Sequence, residues 1–263
     1  MWGIDDFNEW DNKGRPINER IIELNISYSN IERLGRIENL INLKYLNCEY
    51  NHLISLEGIE NLNSLLFLEE LNCGHNQLTS LEGIENLVNL KNFYCDNNKL
   101  TSLKCIENLV NLESFNCSYN QLTSLESIIN LINLKSLYCN ENFLTSLKGI
   151  ENLINLGEFY CNNNQLTSLE GIENLNNLEY FHCDNNFITS LEGIKNLIKL
   201  IKNNEFIKNE LYYNFIDFHE HNKLINLFNK LINCEEDDEI DEYIEKIEQM
   251  IKKSNGFQKC VLK

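Results

Sequence analysis

The residues of this chain best able to do chemistry are its ten cysteines. Six of them, Cys73, Cys95, Cys117, Cys139, Cys161 and Cys183, recur at a period of 22 (95 − 73 = 22, and likewise to 183), and Cys48 stands 25 before Cys73. Such a column offers three chemistries: a metal site, a disulfide ladder or inert filling of a core. A tetrahedral zinc needs ligands converging from several directions, usually supplied by C-x₂₋₄-C pairs, and the sequence contains none. Cysteines on neighbouring parallel strands lie about 4.8 Å apart with their side chains pointing the same way. A disulfide wants Cβ atoms about 3.8 Å apart and facing one another. The column therefore reads as small buried hydrophobes, with the thiols reduced. Cys105, Cys234 and Cys260 fall outside it.

Other candidates are weaker. His219-Glu220-His221 has the residue types of half a metal site, but two histidines separated by one residue diverge on a helix and read as surface groups. The run Glu235-Glu236-Asp237-Asp238-Glu239 lacks the alternating oxygen ligands around a central glycine that a calcium loop requires, and it suits the start of a helix instead. No glycine-rich phosphate loop, H-E-x-x-H or C-x-x-C occurs. The sequence thus offers no catalytic, cofactor-binding or metal-ligating residues, and enzymatic activity is not expected.

The elements that position these residues follow from the repeat. Units begin at Ile21, Leu43, Leu68, Leu90, Leu112, Leu134, Leu156 and Leu178, eight in all over residues 21–199, and each reads L-x-x-L-x-C-x-x-N-x-L-T-S-L-x-G-I-x-N-L-x-N. Self-similarity at this period means a solenoid. In the x-L-x-C segment Leu, Phe or Cys alternate with polar residues, so one set points into a core and the other to solvent. The pattern resembles the leucine-rich repeat, specifically the 22-residue class shared by internalins and the leucine-rich regulatory subunit of protein phosphatase 1. That resemblance implies an α/β fold class: a short parallel strand per repeat and a turn, then an irregular or helical return, stacked into a solenoid whose curved sheet lines the concave side. The drifting, Asn/Ile-rich and Ala-free copies also look like the leucine-rich-repeat paralogues of large DNA viruses of amoebae, in which case the partner would be a host protein in the host cytoplasm.

A second column, Asn51, Asn76, Asn98, Asn120, Asn142, Asn164 and Asn186, has Ser29 in the matching place of the first repeat. An amide carries both donors and an acceptor, so this ladder can satisfy the backbone of a tight, buried turn. At the ends, residues 1–20 read as an N-terminal cap in which Trp2, Ile4, Phe7 and Trp10 cover the first repeat. Beyond Leu200 the register fails, and residues 200–263 read as a helical C-terminal cap. Its first helix would carry Leu224, Leu227, Phe228, Leu231 and Ile232, and its second Ile240, Tyr243, Ile244, Ile247 and Ile251, with Lys252-Lys253 at its end and Gly256 after it. Three extra residues between Asn61 and Leu71 are expected to bulge the convex side and expose Leu66 or Phe67.

The face expected to be concave carries the functional signal. Its central column runs Asn25, Asn47, Asn72, Tyr94, Asn116, Tyr138, Tyr160 and His182, drifting from amide to aromatic. Two flanking columns hold Tyr28, Tyr50, His75, Asn97, Tyr119, Glu141, Asn163 and Asn185, and Ser27, Glu49, Gly74, Asp96, Ser118, Asn140, Asn162 and Asp184; neither contains Lys or Arg. Drifting duplicates that merely keep solvated polar residues would look similar. The aromatic drift favours a protein-binding surface around Tyr94, Tyr138, Tyr160, Tyr180 and His182, with Tyr50, Tyr119, Asp96 and Asp184 contributing. With 40 acids against 22 bases the net charge is −18, which disfavours nucleic acid and anionic membranes and favours a basic partner. The acidic start lacks the features of a secretory signal, and no apolar run approaches a membrane span, so an intracellular, cytoplasmic monomer is expected. Regulation of a protein phosphatase is the alternative that the class resemblance implies. Cys234 followed by acids also resembles the nucleophile of leucine-rich bacterial ubiquitin ligases, but the tail is too short for their catalytic domain.

Overall fold

A computed structural model describes residues 1–35, 37–59 and 67–188, together with 227, 230, 231, 234 and 237–253. The fold is a parallel β-solenoid followed by a helix. Each repeat contributes one three-residue strand: β1 (Glu23–Asn25), β2 (Tyr45–Asn47), β3 (Glu70–Asn72), β4 (Asn92–Tyr94), β5 (Ser114–Asn116), β6 (Ser136–Tyr138), β7 (Glu158–Tyr160) and β8 (Tyr180–His182). The chain clusters into two compact units, residues 1–122 with 127–137, and residues 123–126 with 138–263.

In the first unit β1 to β5 pair in chain order, with Leu24, Leu46, Leu71, Phe93 and Phe115 in register. In the second, β7 pairs with β8 and Phe159 faces Phe181 in register. The middle residue of every strand is buried and its neighbours are at least partly exposed, as a period of two on a one-sided sheet demands. Phenylalanines on adjacent strands stack with ring centroids 5.6 Å apart, both for Phe93 with Phe115 and for Phe159 with Phe181. The return segments are turns and short 3-10 helices rather than α-helices. Their conserved spacing of Leu and Ile fills the same core, and Leu87, Leu90, Ile106 and Leu109 are fully buried.

The thiols of Cys48, Cys73, Cys95, Cys117, Cys139, Cys161 and Cys183 are buried, and none of the nine described cysteines is in a disulfide. The Cys48 thiol donates to the Asn72 carbonyl at 3.3 Å, and burial pushes its pKa up to about 12. Burial likewise raises Cys73, Cys95, Cys117 and Cys161, so these groups hold no thiolate at neutral pH. In the native protein the column is therefore expected to resist a thiol-reactive dye over minutes, whereas denaturation under non-reducing conditions should release all ten thiols. Fast native labelling of more than about three thiols would place the column outside the core.

Near the amino terminus lies α1 (Ile4–Asn12), in which Phe7 and Trp10 are buried. Trp2 extends the sheet: its N–H donates to the Glu23 carbonyl at 2.9 Å, and its carbonyl accepts from Asn25 N–H at 2.8 Å. An edge that would otherwise expose unpaired backbone is thereby closed. Trp10 Nε1 donates to the Pro16 carbonyl at 2.8 Å, and the Arg15 guanidinium lies 5.0 Å over the Phe7 ring. In the second unit, α2 (Asp237–Lys253) starts within the acidic run and ends at Lys252-Lys253. It buries Ile240 and Ile247 on one face. The readings made for Leu66, for residues 61–65 of the insertion, for His219 and for Leu224, Phe228, Ile232, Gly256 and Cys260 lie outside the described residues. Phe67 is exposed. No helix among the described residues is long and apolar enough to cross a membrane.

Candidate functional site: the exposed strand face

The outward residues of the strands and of the turn that follows them recur at matching positions in the described repeats. The turn comes first, because it aims the rest. Tyr28, Tyr50, His75, Asn97, Tyr119, Glu141, Asn163 and Asn185 all adopt left-handed backbone with φ between 50° and 55°. Asn tolerates this region, whereas the ring-bearing residues hold it at some cost. A buried amide follows one residue later in every case but Tyr28, which Ser29 follows. In the first unit Asn120 Nδ2 reaches the carbonyls of Cys95, Cys117 and Ser118 at 3.0, 3.1 and 3.1 Å, while its Oδ1 accepts from Leu100 N–H at 2.9 Å. Asn76 and Asn98 repeat this pattern. Asn51 is the end rung, receiving Ser29 N–H and Ile31 N–H at 3.0 and 2.9 Å. In the second unit Asn164 and Asn186 do the same, and Asn142 donates to the Cys139 and Asn140 carbonyls. These amides are at least nine-tenths buried. Each amide thus bonds backbone of its own turn and of the preceding repeat, next to the left-handed residue of that turn.

In the second unit Tyr138, Tyr160 and His182, which end β6, β7 and β8, stack with ring centroids 4.9 and 4.4 Å apart. The Tyr138 hydroxyl donates to the Glu158 carboxylate. Tyr180 opens β8 and is 40% exposed. Asp184 stands in the turn after β8, where its carboxylate accepts from Asn185 Nδ2 at 2.9 Å. Five groups singled out on the carboxyl side, Tyr138, Tyr160, Tyr180, His182 and Asp184, thus lie on one strand pair and its neighbour.

The other singled-out groups belong to the first unit. Tyr94 ends β4 and is flanked in register by Asn72 and Asn116, so it has no aromatic neighbour in its own column there. Tyr119 and Tyr50 are exposed turn residues. Asp96 accepts from Asn97 Nδ2 at 3.0 Å and faces His75 Nε2 at 3.6 Å.

Two features escaped the sequence reading. Tyr28, Tyr50 and His75 form a second aromatic stack, with centroids 4.2 and 3.9 Å apart, so aromatic contact surface is not confined to the carboxyl half. The signal was present as three ring-bearing residues in consecutive repeats at one register. The second feature is the column that opens the strands, Glu23, Tyr45, Glu70, Asn92, Ser114, Ser136, Glu158 and Tyr180, of which only Tyr180 had been singled out. Being two residues before the central column, it shares the exposed face.

Cations appear just outside that column. Lys44 and Lys91 clamp Glu69 at 2.8 and 2.9 Å, and Lys135 pairs with Glu113 at 2.5 Å. The two ammoniums hold the Glu69 carboxyl down to about 2. A carboxyl depressed in the fold contributes stability that is present above its ordinary value of 4.5 and is lost as the pH falls toward 2. Glu69→Gln should therefore flatten the pH dependence of the denaturation midpoint within that window, and an unchanged slope would show the clamp to be energetically silent.

Among the described residues no three metal-ligating side chains converge. The Cys234 thiol donates to the Glu239 carboxylate at 3.1 Å, and a carboxylate at that position opposes the thiolate that a nucleophile needs.

Similarity to known proteins agrees with this architecture. A family model described as leucine-rich repeats in two copies matches residues 67–109, 110–155 and 154–196. The fold is similar to internalin C2 of Listeria monocytogenes, with a TM-score of 0.63 and 24% identity over 67% of this chain and 77% of that one. It is also similar to a leucine-rich-repeat protein of Leptospira interrogans, with a TM-score of 0.63 and 33% identity over 68% of this chain and 47% of that one. This chain thus spans about half the length of the second. No curated protein matches it.

Proposed function

We propose that this chain, a leucine-rich-repeat protein with internalin-like structural neighbours, binds another protein through the exposed face of its strands, centred on the carboxyl half. The observation that carries the reading is the stack of Tyr138, Tyr160 and His182 on the solvent side of β6 to β8. Three rings held at van der Waals spacing by the sheet present a rigid, amphipathic surface. Its ordering cost has been met by folding, which is what contact hot spots require. Tyr180 and Asp184 lie beside them, and the carboxylates favour a partner with a basic surface.

Nothing in the geometry asks for a reaction. The strand face presents rings, hydroxyls, amides and carboxylates, groups suited to recognition of another protein surface. Regulation of a protein phosphatase rests on the class resemblance alone and predicts that a phosphatase co-purifies.

Affinity capture from the native cell, followed by binding measurements on the recovered protein, tests the proposal. Tyr138→Ala and Tyr160→Ala should each cost at least about 2 kcal/mol of binding while leaving the denaturation midpoint nearly unchanged. Changing Asp184 to Asn should mainly slow association and reduce its dependence on salt. Normal binding by both tyrosine variants, with loss on substitution of Phe67 or within residues 200–263, would overturn the assignment.

A further inference from the structure

We infer that the amino half of the strand face, in the first unit, is a separate docking surface for an extended peptide segment carrying two arginines. Three observations meet there. The first is the stack of Tyr28, Tyr50 and His75, in which Tyr28 is the end ring and is 70% exposed. Its outer face is free of the other two rings. The stack sits on left-handed turn positions where Asn97, Asn163 and Asn185 serve elsewhere. Tyrosine is less at ease in that region than asparagine, so backbone preference does not account for the rings at positions 28 and 50. Their exposed surface is what they add.

The second observation is an open depression of about 320 Å³ along β1 to β3, whose lining includes Glu23, Asn25, Tyr45, Asn47 and Glu70. Glu23 and Glu70 flank Tyr45 in register on β1, β2 and β3. The third is charge. Glu49 accepts from Asn72 Nδ2 at 3.1 Å and Glu70 from Asn92 Nδ2 at 3.4 Å, so neutral amides steady these carboxylates without cancelling their charge. Lys44 and Lys91, which directly precede Tyr45 and Asn92 of the opening column, are held by Glu69. No Lys or Arg occupies the strand or turn columns of this unit. The face is therefore negative as well as aromatic, and its complement is a cation.

The geometry selects arginine and sets the spacing. A guanidinium is planar, so it stacks on an exposed ring such as Tyr28 and offers a carboxylate a two-pronged N–H fork, neither of which an ammonium does as well. The row of Glu49 and the row of Glu23 and Glu70 are four residues apart along the strands, roughly 13 Å in extended chain. Two arginines four positions apart in an extended segment match that separation. The same pair in a helix would lie only about 6 Å apart. The surface is independent of the carboxyl-half reading, since it shares no residue with the stack of Tyr138, Tyr160 and His182.

A fluorescent Ser/Gly peptide with two arginines four positions apart is the probe, compared with the same peptide carrying citrulline, a neutral isostere, and with one carrying adjacent arginines. Binding to the full chain by fluorescence anisotropy should favour the spaced arginine peptide at least about tenfold over both. Tyr28→Asn, which installs a residue the turn already accepts at Asn97, and the double variant Glu49→Gln with Glu70→Gln should each weaken it about tenfold or more. The carboxamide variant should also flatten its salt dependence. Tyr160→Ala should leave peptide binding unchanged, and binding of a captured protein that responds to Tyr160→Ala alone would concern the other surface only. Equal binding of the citrulline peptide, or arginine-peptide binding unaffected by Tyr28→Asn and by the paired carboxamides, would overturn the inference. So would loss of arginine-peptide binding in Tyr160→Ala.

Discussion

Asn120→Ala is expected to lower stability by about 3 kcal/mol, read as a shift of the urea midpoint with the slope of the transition preserved. The estimate takes the upper end of the range for leaving buried polar groups unsatisfied, because one carboxamide closes four bonds. Without it the carbonyls of Cys95, Cys117 and Ser118 lose a donor, and Leu100 N–H loses its acceptor. Water cannot easily replace it, since Asn120 is only 7% exposed. The neighbouring Tyr119 should lose its fixed left-handed backbone with it, so the effect extends to the exposed face. Asn120→Asp makes a sharper comparison: it keeps the acceptor but turns a second oxygen toward three carbonyls, and it should be worse than alanine at neutral pH. An unchanged midpoint in the alanine variant would mean that the turns are held by strand packing alone.

Gly149→Ala is expected to cost about 1 to 3 kcal/mol, and more than Gly171→Ala at the matching position of the next repeat. Both glycines have φ near +110°, at 111° and 108°. Their surroundings differ. A Cβ on Gly149 would lie 2.2 Å from the Leu125 carbonyl oxygen, a backbone atom that cannot swing aside, whereas on Gly171 it would lie 3.3 Å from the Leu147 carbonyl oxygen. The repeats themselves show what the chain does without glycine. Where Cys105 and Ser127 occupy this position, the segment is a 3-10 helix, at Lys104–Ile106 and Glu126–Ile128. Thermal midpoints of the two alanine variants decide the matter, and equal losses at both sites would assign the cost to φ alone rather than to the close approach.

What the sequence determined by itself was everything that repeats. A 22-residue period with apolar residues in fixed phase leaves one way to bury them, which is to stack the units. The burial of the cysteine column, of the asparagine column and of the middle residue of each strand was legible for that reason. The start of α2 within the acidic run was legible too, from local charge against the helix dipole. Tertiary structure alone decided matters that depend on backbone direction and on neighbours in space. The column of Tyr28, Tyr50 and His75 is visible in the sequence as a list of residue types. All three residues hold left-handed backbone, and their rings reach stacking distance only once the repeats are stacked. Likewise, Glu69 reads as one acid among 40, and its clamping by lysines 25 residues before and 22 after depends on strand register. Periodicity specifies which side of the sheet a residue takes, because alternation is a property of one strand. Which residues touch on that side is a property of adjacent strands and their turns, and it exists only once the repeats are stacked.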